Sequence, residues 1–160
     1  MRVLPIFLTA ALLFFSAGAV AGVFGDKTDR FTGSRVVAWT TIPSEAETFA
    51  VSTFAFYPKG QAKPYQYQVQ LITYADSMQY NDCNQVDWLV DGQSAPYLTT
   101  KYSADRSASA AIERFDLILD RAALQKIATA KLVEFKVCGT ESSINEADMA
   151  GLKRVYTETE

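Results

Sequence analysis

The sequence predicts an α+β fold, an antiparallel sheet of about five to seven strands with two short C-terminal helices packed on one face. Three observations lead there. Short segments rich in β-branched and aromatic residues follow one another from Val36 to Leu119, the apolar period lengthens to that of a helix after Asp120, and a second helix start follows at Asn145. An all-β sandwich or small barrel is the competing architecture, and the two helix starts argue against it.

Before the first strand the chain carries an export signal. After Met1-Arg2, residues 6–21 (IFLTAALLFFSAGAVA) form an apolar run without a charged side chain, closing in Ala19-Val20-Ala21. That small-x-small ending is the form a signal peptidase accepts, so residues 1–21 read as a signal peptide cut before Gly22, and residues 22–160 as a single exported domain. An uncleaved anchor is the alternative, but the run falls short of the ~20 apolar residues that comfortably span a bilayer. No Cys adjoins the cleavage point, so nothing marks a lipoprotein. The expected location is secreted or periplasmic, with no membrane span after cleavage.

Of the 15 Lys and Arg, Arg2 leaves with the leader, so 14 remain against 18 Asp and Glu and the mature chain is acidic. An acidic surface repels phosphate, which makes nucleic acid and anionic membrane poor partners. Cys83 and Cys138 are the two cysteines, both in the exported part, where an oxidising setting and an even count predict one structural disulfide. A redox pair favours Cys-x-x-Cys and a structural zinc needs about four ligands, so neither reading fits two distant cysteines in a chain without His.

Residues 22–33 (GVFGDKTDRFTG) read as an irregular lead-in. Val36 to Ile42 and Phe49 to Tyr57 are strand-like, each stopped by a Pro, and residues 44–47 between them make a polar connection, which predicts a hairpin. Tyr65 to Tyr74 (YQYQVQLITY) has the clearest alternation. Tyr65, Tyr67, Val69 and Leu71 form a dry face, and Gln66, Gln68 and Gln70 a wet one. The polar loop from Asp76 to Gln85 holds Cys83. Val86 to Val90 then reaches Asp91-Gly92, a strong two-residue hairpin signal that predicts residues 93–102 as the returning strand, with Pro96 marking an edge or bulge.

After a loop over residues 103–109, Ala111 to Leu119 is a strand carrying Phe115, Leu117 and Leu119 on one face. Asp120 can cap a helix whose apolar face is Leu124, Ile127 and Ala128, and Leu132 to Cys138 returns to strand. A second helix starts with Asn145 as cap, Asp148 reaching back and Ile144 stapling onto Met149, before an acidic TETE tail expected to fray.

The chemistry is defined partly by what is missing. Without His there is no Ser-His-Asp or Cys-His hydrolysis and no His-ligated metal, and neither a G-x-S-x-G motif nor a Gly-rich phosphate loop occurs. Asp82, Asp87 and Asp91 are the remaining candidates for a paired acid and base, but a glycosidase needs two carboxyl groups across a sugar-sized cleft, and loop solubility or turn formation accounts for them more simply. Asp82, Asn84 and Asp87 lack the full spacing of a Ca²⁺ loop. No catalytic residue, cofactor or metal ligand is therefore assigned.

Aromatic and amide side chains are the remaining resource. Most of the eight Tyr read as core, but Tyr74, on the Gln face, and Tyr80, in the Cys83 loop, are less easily explained by packing. The candidate binding surface is Gln66, Gln68, Gln70, Tyr74 and Tyr80. The expected function is a non-catalytic exported module that binds a protein or an envelope glycan through its open sheet face and loops. A structural or stress-related envelope protein without a specific small ligand is the second reading, and a carboxylate-dependent hydrolase the third.

Overall fold

The computed structural model describes residues 22–42, 48–106 and 110–160. The expected signal peptide at residues 1–21, the expected connection at residues 44–47 and residues 107–109 of the expected loop lie outside the described residues. What is described is α+β, with the two helices at the C-terminal end and two antiparallel sheets rather than one. The large sheet has the order β1-β2-β3-β4-β8-β7, formed by β1 (Val23–Thr28), β2 (Arg35–Thr40), β3 (Ala50–Tyr57), β4 (Gln66–Ala75), β7 (Thr100–Arg106) and β8 (Ala111–Leu119). The small sheet, in the order β10-β9-β5-β6, contains β5 (Val86–Val90), β6 (Gln93–Ser94), β9 (Val133–Val137) and β10 (Thr140–Ser143).

Period-two patterning decides which side chains enter the core. Tyr67, Val69 and Leu71 of β4 lie level with Leu119, Leu117 and Phe115 of β8, and all six are buried. The small sheet adds Trp88, Val133, Phe135 and Val137 to the same core, where the Phe135 ring meets Phe49 at 5.4 Å between centroids. Both sheets and both helices thus share one apolar interior on a single side of the large sheet.

Each helix begins where its cap predicts. Asp120 is extended, and its carboxylate accepts from the Ala123 N–H at 2.8 Å, so α1 (Arg121–Thr129) turns Leu124, Ile127 and Ala128 inward. Such a cap contributes about 1 kcal/mol. Asn145 does the same for α2 (Glu146–Glu158), accepting from the Asp148 N–H at 2.8 Å. Leu152 and Val155 of α2 are fully buried, each worth about 2 kcal/mol by area removed from water.

Several local expectations are corrected. The lead-in is not irregular: Val23–Thr28 pairs in register with Arg35–Thr40, because Phe24 and Trp39 lie side by side under α2. The Asp91-Gly92 turn forms, with both residues at positive φ (50° and 75°), but its returning strand is only Gln93–Ser94. Pro96 has no N–H to continue the ladder, Ala95 and Leu98 turn into the core, and Thr100–Arg106 crosses to pair with β8 in the other sheet. Thr140–Ser143, too polar to read as a strand, pairs with β9 across the Cys138-Gly139 turn. The acidic tail does not fray. Helix α2 runs to Glu158, Thr159 is buried, and the Arg121 guanidinium donates to the Thr159 carbonyl at 3.1 Å.

Candidate functional site

With helices and small sheet on one side, the opposite face of the large sheet is open along the middle of β4, while Ala50, Ser52 and Ile72 on that same face are buried. Its centre is the row Gln66, Gln68 and Gln70 on β4, all half-buried, which the alternation places opposite the buried Tyr67, Val69 and Leu71. Across the ladder Phe56 stands level with Gln66, Phe54 with Gln68 and Ser52 with Gln70. On the other flank Ile118 is level with Gln68, and Asp116 with Gln70. Aromatic rings and amides therefore run side by side along two adjacent strands.

The face is ordered by its own hydrogen bonds. Gln68 Nε2 and Gln70 Nε2 both donate to Asp116 Oδ1, at 2.8 and 2.7 Å. Each amide has its carbonyl oxygen as a further acceptor group. The Phe54 and Phe56 rings are stacked at 6.0 Å with an interplanar angle of 20°, and Tyr65 extends the line at 6.5 Å from Phe56. Tyr65 does not join the dry face as expected. At 65% exposure it precedes β4 and lies beside Phe56, its N–H donating to the Phe56 carbonyl.

The two other tyrosines of the candidate surface both line one open cleft of about 630 Å³, with Thr73, Asp76 and Gln79, but differ in burial. Tyr74 is half exposed at the far end of β4, on the Gln side. Tyr80 is only 8% exposed, its ring packed on Phe49 and Phe115 with centroids 5.6 Å away in both cases, so most of the side chain belongs to the core. The cause is Glu113, which no sequence pattern singles out. Its carboxylate is fully buried and accepts from the Gln79 N–H, the Tyr80 N–H and the Tyr102 hydroxyl at 2.7–2.8 Å. Three donors satisfy the buried charge and pull the 76–82 loop down onto the sheet. Burial, reinforced by the Glu113 carboxylate, pushes the Tyr102 phenol up to about 12.

Cys83 and Cys138 are joined, fixing the other end of that loop to the end of β9. The three aspartates considered for acid–base work are dispersed. Asp91 Oδ1 accepts from the Lys131 and Leu132 N–H groups, tying the hairpin turn to the exit of α1. Asp87 lies at the other end of β5, where Gln85 Nε2 donates to it, and Asp82 accepts from Asn81. Among the described residues no three His, Cys, Asp or Glu side chains come close enough to hold a metal ion. No described helix is long and apolar enough to cross a membrane.

A cleft of about 400 Å³ beside the small sheet is lined by Gln85, Asp87, Trp88, Pro96 and Thr100. Trp88 is buried there with its indole Nε1 lacking a hydrogen-bond partner among the described residues. Phe54 and Phe56 are the surface residues that sequence reading left unassigned. The alternation of β3 was available to find them, but both faces of that strand are largely apolar, so nothing distinguished the outward one. No protein-family model matches this chain, and neither a curated protein nor a solved structure shows significant similarity to it.

Proposed function

We propose that the chain is an exported, non-catalytic module that binds a neutral glycan across the open face of its large sheet. The observation that carries this reading is the cross-strand pairing of Phe54 with Gln68 and Phe56 with Gln66. Flat rings offer stacking to the apolar faces of sugar rings, and the neighbouring amides offer acceptors and donors to hydroxyl groups. On this face β3 and β4 carry no charged residue, and the neighbouring β8 brings one charge of each sign, Asp116 and Arg114, which suits an uncharged polymer better than a phosphate or a metal-bearing ligand. The bonds from Gln68 and Gln70 to Asp116 support it further, since amides already held in place lose less freedom on binding.

Retention on a panel of immobilised neutral polysaccharides tests the proposal. The unaltered protein should be retained by at least one, and Gln68→Lys with Gln70→Lys, or Phe56→Ala, should weaken that retention about tenfold or more. Retention unchanged by these substitutions would move the site off this face. Failure on every polysaccharide, with a protein recovered from native extract whose binding the same substitutions abolish, would replace the glycan by a protein.

A further inference from the structure

We propose that the cleft beside the small sheet is a docking slot for an extended peptide segment of a partner protein, which adds to the free edge of β5 at Val86. The slot shares no residue with the glutamine face and does not depend on the glycan reading.

The hydrogen-bond pattern of β5 locates this edge. The Cys138 N–H donates to the Gln85 carbonyl at 3.0 Å and the Asp91 N–H to the Leu132 carbonyl at 2.9 Å, so the odd-numbered residues of β5 turn their backbone groups toward β9. Even-numbered residues turn theirs the other way. On that side Val90 lies level with Gln93, and the Trp88 carbonyl accepts from the Ala95 N–H at 2.9 Å. Val86 is the next position along the edge, and β6 does not reach it. After Ala95 comes Pro96, and the Leu98 N–H bends back to the Ala95 carbonyl at 3.0 Å, which carries the chain off toward β7. Among the described residues the Val86 N–H and carbonyl therefore have no strand beside them on this side.

The space where β6 would have continued is the cleft itself. Gln85, Val86 and Trp88 line it together with Pro96, Thr99 and Thr100, and its volume of about 400 Å³ is that of a ligand pocket. Trp88 is 3% exposed, and its indole Nε1 is a second donor of this lining without an acceptor among the described residues. An unmet buried donor costs free energy that an incoming carbonyl recovers. A free strand edge presents one N–H and one carbonyl at every second residue, and an extended backbone is the ligand that matches both at that repeat. Asp87 is the one charged side chain of the lining, the rest being amides, hydroxyls and small apolar groups. The segment that fits is accordingly one without acidic side chains.

The probe is an array of immobilised, end-blocked hexapeptides in which Val or Thr alternates with Gln, Ser or Lys. At least one should be retained by the exported protein, and the same peptide in solution should shift the Val86 amide and Trp88 indole N–H resonances of isotope-labelled protein. N-methylation of one alternate set of its amides should weaken binding about tenfold, because it removes the donors that face β5. Val86→Pro should weaken binding to a similar degree. Proline is tolerated at the first residue of a strand, and no bond of the β5 and β9 ladder uses the Val86 N–H. If Val86→Pro does not fold, the N-methylated peptides decide, since they leave the protein unaltered. Retention of no hexapeptide, binding indifferent to N-methylation of either set, or shifts confined to the glutamine face would each overturn the inference.

Discussion

The indole Nε1 of Trp39 donates to Asp148 Oδ1 at 2.9 Å, joining β2 to the first turn of α2 across 109 residues of chain. The same carboxylate reaches back to the cap, accepting from Asn145 Nδ2 at 3.1 Å through its other oxygen, and the same indole covers Gly151. A Cβ on Gly151 would lie 2.1 Å from the Trp39 ring, so the helix approaches the strand only because that position is Gly. Asp148→Ala should lower stability by about 2–3 kcal/mol by leaving buried donors without an acceptor. Gly151→Ala should cost about 2 kcal/mol through overpacking, despite the better helix propensity of Ala. Urea unfolding of both variants checks this, and a stabilising Gly151→Ala would show that α2 is not held against the indole.

Glu113 organises the Cys83 loop from inside the sheet. Glu113→Ala removes the acceptor of the Gln79 and Tyr80 N–H groups and of the Tyr102 hydroxyl. The expected cost is about 3 kcal/mol, with loss of hydrogen-exchange protection at those two amides. Protection that survives the substitution would mean the loop is held by its aromatic packing alone.

Tyr102 gives a pH signature. Its phenol is raised to about 12 by burial and by Glu113, whereas in the unfolded chain it titrates near its ordinary value of about 10. The folded state therefore holds the proton more tightly, and stability present below about pH 10 declines as pH rises through about 12. Alkaline unfolding followed by phenolate absorbance should show this decline, and Tyr102→Phe should flatten it.

The Cys83–Cys138 bridge spans a sequence separation of 55 and ties the loop to β9. On the chain-entropy account it stabilises the fold by about 4 kcal/mol, so Cys138→Ser should lower Tm while leaving any glycan retention measured at low temperature intact. Thiol labelling of the unreduced, denatured protein should find no reactive thiol. Two would refute the bond.

On the open face, Gln68→Lys and Gln70→Lys should each change stability by about 0.5 kcal/mol or less, because both side chains lie on the solvent side with Asp116 within reach of a new ammonium. Thermal melts of the double variant separate a lost ligand contact from a lost fold. A large destabilisation would mean that this face is covered.

The chain by itself determined what depends on near neighbours. The wet and dry sides of β4, the Asp120 and Asn145 caps, and the Asp91-Gly92 turn are set by side-chain period, a carboxylate or amide within one turn, and tolerance of positive φ, all legible over a few residues. The pairing of the only two cysteines needed no more than their number. Tertiary structure decided the rest. Residues 93–102 read as the partner of β5 and 103–109 as a loop, yet Thr100–Arg106 pairs with β8, where Tyr102 packs on Phe115 and donates to Glu113. Tyr80 and Glu113 reveal their roles only when brought together, because a buried carboxylate is stable where distant donors converge on it and nowhere else. Likewise Phe54 and Phe56 lie on the open face because both helices and the small sheet chose the opposite side. That is a competition among apolar surfaces of the whole chain, which no local pattern records.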